Sequence, residues 1–221
     1  MSLHPRQSGF TLIEVAVVMM LFALLAGVVL AANELILSAR ARALSADLDA
    51  YRTAHFGFID RYRAMPGDMG TAVRDIRGAT GNGNADGRIE ATGAMDEPTL
   101  AWEHLFRAGF LQGRQRADRP APVNVFGAPA RVEYGSRFAG ATAARHNFNT
   151  GNLVPASVLA EIDRKLDDGF ATTGAVRFSY VDTVGAPPAP ERCFDTLAVS
   201  SGSWRIGTSE ETNCGATWLL P

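Results

Sequence analysis

The 221-residue sequence predicts an α+β protein: a long apolar N-terminal helix, then a globular domain of short helices and a small antiparallel sheet. Three observations carry this. No proline occurs between Phe10 and Met65, so nothing in the chain interrupts a single helix. Val15 to Ala32 is a run of 18 residues without a charge or strongly polar side chain, the length at which an apolar helix crosses a bilayer. Past Met65 the helix signals precede the strand signals, the order of an α+β domain rather than of alternating βα units. With 47% hydrophobic and 20% charged residues most of the chain is expected to fold. A net charge of −2 with no long basic block excludes a dedicated nucleic-acid binder.

At 1.5 Å per residue, a helix of about 54 residues spans roughly 80 Å, so its two halves face different surroundings. Residues 10–33 read as the membrane-spanning part. Residues 34–64 continue the helix as an amphipathic segment, because Leu37, Ala41, Leu44, Leu48, Tyr51, His55, Phe58 and Tyr62 recur at spacings of three or four, a stripe that requires a covering domain. His55 falls on that stripe and is expected to be a buried or rim histidine hydrogen-bonded to its surroundings. Arg6 and His4, in an opening segment of residues 1–9 that holds no acid, favour a cytoplasmic N-terminus, although Arg40 and Arg42 on the far side weaken the asymmetry. A secretory signal peptide cut after Ala31 and a plain membrane anchor are the rival readings of the segment.

Glu14 stands out in "RQSGFTLIEVAVVMM", Arg6 to Met20. An acid at a bilayer centre costs roughly 2.5–3.5 kcal/mol on insertion scales, so it calls for a function. The stretch from Ser8 to Gly27, "SGFTLIEVAVVMMLFALLAG", resembles the N-terminus of type IV pilins and of the pseudopilins of type II secretion. The resemblance implies a leader of residues 1–9 that a prepilin peptidase removes after Gly9, and N-methylation of the new first residue, Phe10. Glu14 then becomes the fifth residue of the mature chain, the family's glutamate, thought to meet a neighbouring subunit's N-terminus and set the register of the filament. A partnered charge attracts strongly in a packed, low-dielectric bundle, and registry is the best-attested use of such groups. The bland alternative is that Glu14 merely snorkels to the headgroups. One departure concerns the apolar segment, where many major pilins carry a proline and this chain has Ala31 and Ala32.

The globular domain is read as residues 65–221. Met65-Pro66-Gly67-Asp68 ends the helix by proline and turn chemistry. The loop "TGNGNADGRIE", Thr80 to Glu90, is spaced like the start of a calcium loop, with Asn82 first, Asn84 third, Asp86 fifth, Gly87 sixth and Ile89 eighth. The match fails at the twelfth position, Gly93, leaving Glu90, or Asp96 or Glu97, to complete a variant set; the alternative is a turn held by side-chain-to-backbone hydrogen bonds. A helix is expected from Pro98 to about Ala108, capped by Gly109, with Leu100, Leu105 and Phe106 forming its apolar side. Another is expected over Val154–Gly169, with Val158, Leu159, Ile162 and Leu166 buried and Glu161, Asp163, Asp167 and Asp168 on a solvated face. Strand signals lie at Val123–Tyr134, Val176–Val181, Cys193–Val199 and Trp204–Ile206. In an oxidising compartment Cys193 and Cys214 are expected to pair, as in the C-terminal disulfide loop common among the resembled pilins; two free core thiols are the alternative.

Catalysis has little support: four histidines, no HExxH motif, no nucleophile elbow and no phosphate-cradling loop. No catalytic residue and no cofactor is assigned, calcium at Asn82, Asn84, Asp86 and Glu90 being the one cation considered. The expected function is a prepilin-like structural subunit of a type IV pilus or type II secretion pseudopilus. Its expected partners are the peptidase, other pilin or pseudopilin subunits, an inner-membrane assembly platform and the lipid bilayer. The expected location is the inner membrane, with the C-terminal domain outside the cytoplasm, and then the filament. A signal-anchored periplasmic protein or enzyme outside any filament is the alternative.

Overall fold

The computed structural model describes residues 10–92, 95–112, 121–196, 202–207 and 211–221. The leader with Gly9, the loop position Gly93 and residues 197–199 of an expected strand lie outside these. Helix α1 runs unbroken over Leu12–Tyr62. It stops where Arg63 turns to a left-handed φ of 54°, its N–H still bonded to the Ile59 carbonyl at 2.8 Å, just before Met65-Pro66 forbids a further turn.

The chain divides into two compact units, the first ending at Ala39 and the second comprising Arg40–Pro221. In the first, the large apolar side chains from Phe10 to Val29 are 48% to 88% exposed. In the second, Ala41, Leu44, Leu48, Tyr51, Ala54, His55 and Phe58 are at most 8% exposed, the face the spacing predicts, with Tyr62 half-buried.

After α1 come the single turn α2 (Ala72–Asp75), a two-residue hairpin β1 (Ala91–Thr92) and β2 (Met95–Asp96), and α3 (Glu97–Arg107). Pro98 sits in the first turn of α3, and Gly109, at φ 81°, follows its end. Then follow β3 (Arg131–Gly135), β4 (Arg145–Asn149), α4 (Ala156–Leu166), β5 (Val176–Phe178), the turn α5 (Pro190–Cys193) and β6 (Ala216–Leu219). The four long strands make an antiparallel sheet in the order β3-β4-β6-β5.

Register places Val132, Phe148, Trp218 and Val176 in one row across the sheet. Tyr51 of α1 meets Phe148 at 6.1 Å and Trp102 of α3 at 5.0 Å, and Trp102 meets Phe148 at 5.8 Å, so this row is the face that α1 and α3 cover. Fully burying each such side chain is worth about 1.5–3 kcal/mol. On the opposite face Glu133, Asn147, Asn149 and Thr217 are buried too. Asn149 donates to Asn147 at 2.8 Å, Thr217 donates to the Asn149 amide oxygen at 2.6 Å, Ser179 donates to the same oxygen, and Glu133 pairs with Arg131 and, at 3.7 Å, with Arg137.

The structure corrects several expectations. Between Val123 and Tyr134, where one or two short strands broken by Gly127 and Pro129 are expected, one forms, β3, and the part before it makes only a bridge between Val123 and Pro129 around a turn. Strand β5 is three residues long, and Cys193 ends a helical turn instead of opening a strand, with Phe194 bridging Trp204. Strand β4, "RHNFN", escapes the sequence reading because asparagine is poor strand material and its burial depends on partners from β6 and Ser179. Leu166 is 41% exposed where α4 ends, while Asp163, placed on a solvated face from sequence, is fully buried and accepts the Trp204 indole N–H at 2.6 Å and the Gly169 N–H at 3.1 Å.

Candidate functional site

The amino end of α1 is built from a few side chains. Leu12 is the first helical residue, so Thr11 is its N-cap and Glu14 its third residue. The Glu14 carboxylate accepts the Thr11 backbone N–H at 2.8 Å and the Thr11 hydroxyl at 2.9 Å, and the Glu14 N–H donates back to that hydroxyl at 3.3 Å. This is a reciprocal capping box, and it places a negative charge at the positive end of the helix dipole. The sequence carries its signal, a threonine three residues before a glutamate, although the resemblance directs attention to the charge of Glu14 and not to its cap. Phe10 lies just outside the helix, 88% exposed. Gly9 lies outside the described residues. Among the described residues one helix, α1, is long and apolar enough to cross a membrane.

A second constellation surrounds the loop after α1. Asp68, Asp86 and Glu97 bring carboxylate oxygens within 4.8 Å of one another. Asp68, 5% exposed, accepts the N–H groups of Asp86 and Gly87 at 3.0 and 2.9 Å. Glu97, fully buried, accepts those of Asn84 and Glu90 at 2.9 and 3.1 Å. His104 completes the brace: its Nδ1 accepts the Gly67 N–H at 2.9 Å, which leaves Nε2 to donate to the Gly81 carbonyl at 3.0 Å. Gly83 presses against the backbone of Gly67 and Asp68 so closely that no Cβ fits. Burial pushes the Asp68 and Glu97 carboxyls up, against the opposing pull of these N–H donors.

Of the residues read as calcium ligands, Asn84 and Asp86 are together, the Asn84 amide donating to Asp86 at 3.1 Å. Asn82 turns its oxygen to the Val73 N–H at 2.8 Å, and Glu90 contributes its backbone N–H to Glu97. The converging carboxylates are therefore Asp68, Asp86 and Glu97, hard oxygen donors of the type calcium takes. Every oxygen of Asp68 and Glu97 already serves a backbone N–H, so the set fits a carboxylate-braced turn first. Asp68 escaped the reading because it is 18 residues from Asp86 in the chain. Ile89 is fully buried, as an apolar anchor of the loop.

Cys193 and Cys214 form a disulfide, with Cα atoms 5.8 Å apart and both residues fully buried. It ties α5 to the strand end where Val154 and Cys214 exchange backbone bonds at 3.0 Å. His55 is 2% exposed as expected, but its Nδ1 has no hydrogen-bond partner, nor does Nε2 of His146. Burial, with the nearby His146 as a smaller cause, pushes the His55 imidazole down to about 4, so it is neutral at pH 7. These histidines pack on aromatic rings, His55 on Phe148 at 5.7 Å and His146 on Tyr134 at 4.9 Å, with no nucleophile in the contacts described.

No curated protein matches the chain, and no solved structure does. A protein-family model, the prokaryotic N-terminal methylation motif, matches residues 4–30, the segment that contains Gly9, Phe10, Thr11 and Glu14. The chain thus carries at its amino end the signature of type IV pilin and pseudopilin precursors, one that implies processing by a prepilin peptidase and a structural subunit.

Proposed function

We propose that this chain is a prepilin-like structural subunit, cut after Gly9, methylated at Phe10 and packed through α1 into a type IV pilus or type II secretion pseudopilus. The observation that carries the reading is the methylation motif over residues 4–30, which coincides with an uninterrupted helix whose first half exposes its apolar side chains. Such a surface needs lipid before assembly and other helices after it. The N-terminus faces the cytoplasm and the domain lies on the far side of the inner membrane, where an assembly platform draws subunits out.

Cleavage frees an ammonium at Phe10, four residues from Glu14. Thr11 occupies one carboxylate oxygen of Glu14 and leaves the other for a neighbouring subunit's ammonium. In a dry bundle either charge alone is costly, so pairing fixes how far one helix slides past the next. The test is N-terminal sequencing with mass spectrometry of membrane-extracted protein. A chain beginning with methylated Phe10 supports the reading; a chain beginning at Met1 or Ala32 overturns it.

A further inference from the structure

We infer that the buried carboxyl of Asp163 is a proton-controlled latch that docks residues 202–207 against the end of α4, more firmly in acid than at neutral pH. The latch lies wholly within the globular unit and holds whether or not the chain enters a filament. The contacts of residues 202–207 converge on one side chain. Trp204, 6% exposed, donates its indole N–H to one oxygen of Asp163 at 2.6 Å, and the other oxygen accepts the Gly169 N–H at 3.1 Å. Asp163 thus ties three pieces together: α4, the turn after it and the segment 202–207. Around that tie the segment is closely seated. The Gly202 carbonyl accepts the Ala171 N–H at 2.6 Å, the Ser203 carbonyl accepts the Asp195 N–H at 2.9 Å, and the Arg205 N–H donates to the Cys193 carbonyl at 2.9 Å. Gly202 lies so near the Thr172 side chain that no Cβ fits.

A fully buried carboxylate is costly to keep charged, and its neighbours add to that cost. Asp163, Asp167 and Asp168 bring carboxylate oxygens within 4.8 Å of one another. Asp167 accepts the Val176 N–H and Asp168 the Phe170 N–H, both at 2.9 Å. The cations nearby are engaged elsewhere or exposed. Lys165, in the last turn of α4 with Arg164, pairs with Glu161, while Arg177 of β5 donates to the Gly174 and Gly140 carbonyls. Arg205 on the segment itself is exposed, and Asp195, which bridges to it, adds a further acid. Burial pushes the Asp163 carboxyl up to about 6; the charges of Asp168 and Asp167 push the same way, against the Trp204 and Gly169 donors. Lifting Trp204 away admits water and returns the group toward its ordinary 3.8. The docked form therefore binds the proton more tightly and gains as pH falls between those values. From pH 7.5 to pH 4.5 the ratio of docked to lifted segments rises roughly 25-fold. A neutral carboxyl keeps lone pairs for the indole N–H, so the bond outlasts protonation.

Hydrogen exchange of the full chain in detergent, read by mass spectrometry and corrected for the intrinsic pH dependence of exchange, tests this. Protection of peptides covering residues 202–207 is expected to rise roughly 25-fold from pH 7.5 to pH 4.5, beginning as pH passes below about 6. Peptides of β4, whose opening also carries the opposite response of His55, are expected to follow a different curve. Asp163→Asn is expected to flatten the rise. Should that variant not fold, the fluorescence difference between the chain and Trp204→Phe replaces it, and is expected to titrate with a midpoint near 6. Flat protection of 202–207 overturns the inference, whatever the fluorescence does. A rise that persists in Asp163→Asn, that β4 shares equally, or that comes without titration of the Trp204 signal overturns it as well.

Discussion

The two halves of α1 share one backbone and differ in surroundings. From Phe10 to Val29 every large apolar side chain is at least 48% exposed; from Ala41 to Phe58 the stripe is at most 8% exposed. The first half is apolar all round, so no choice of face can hide it, and only a change of solvent or a set of partner helices removes that surface from water. The second half concentrates its apolar residues on one face and covers them with its own domain. Function is therefore expected to fail by different routes in the two halves: through assembly in the first, through folding in the second.

The sharpest break of that comparison is Glu14→Ala. It is expected to leave membrane insertion intact and abolish filaments, scored by shearing and immunoblot; normal filaments remove the registry role. Thr11→Ala separates registry from capping. It removes the hydroxyl of the capping box, a loss of about 1 kcal/mol of helix stability, and is expected to leave filaments in place. Filament loss equal to that of Glu14→Ala would mean that the cap, not the charge, is what assembly requires.

Phe58→Ala in the covered half is expected to cost about 3–5 kcal/mol by denaturant unfolding in detergent, whereas Leu21→Ala, 54% exposed before the change, leaves the domain's unfolding midpoint in place. Equal effects would erase the distinction between the halves. Breaking the disulfide with Cys193→Ser and Cys214→Ser together is expected to cost about 3 kcal/mol, since the bridge closes a loop at a sequence separation of 21.

Acid reads the globular unit through two groups of opposite sign, His55 on α1 and Asp163 on α4. His55 drops from 6.5 to about 4 on folding, so between those values only the unfolded chain takes up its proton; stability is lost as pH falls through that window, by up to about 3 kcal/mol. Burial raises Asp163 from 3.8 to about 6, so there the folded chain holds the proton and stability is gained as pH falls through that window. Unfolding midpoints at pH 7 and pH 4.5 are expected to show His55→Gln softening the loss in acid and Asp163→Asn steepening it. Smallest of all is the expected response to calcium. Because backbone N–H groups engage Asp68 and Glu97, calorimetric titration of the full chain is expected to give no saturable heat at millimolar calcium; saturable heat that Asp86→Asn abolishes would make the turn a cation loop.

Much of this was legible in the sequence, and the legible part is local. The run from Val15 to Ala32, the spacing from Leu37 to Tyr62 and the Gly109 and Gly169 stops are written in residues within a few turns of one another, which is why α1, α3 and α4 fall near where they were expected. The methylation motif is likewise a contiguous stretch. What could not be read depends on residues far apart in the chain: β4 with its buried asparagines, the meeting of Asp68 with Glu97 at the loop, the burial of Asp163 under Trp204. A polar side chain is placed inside only if a distant partner satisfies it, and a single sequence does not name that partner.

By itself, then, the sequence determined a membrane-length rod with one acid near its start and an amphipathic continuation, because helix periodicity and apolar length act over neighbouring residues. Only the tertiary structure decided that the carboxylates of Asp68, Asp86 and Glu97 converge on one turn, that Asp163 is buried against the Trp204 indole, and that Asn149 is satisfied by Ser179 and Thr217. Each of those rests on the direction in which side chains point once the backbone has closed around them.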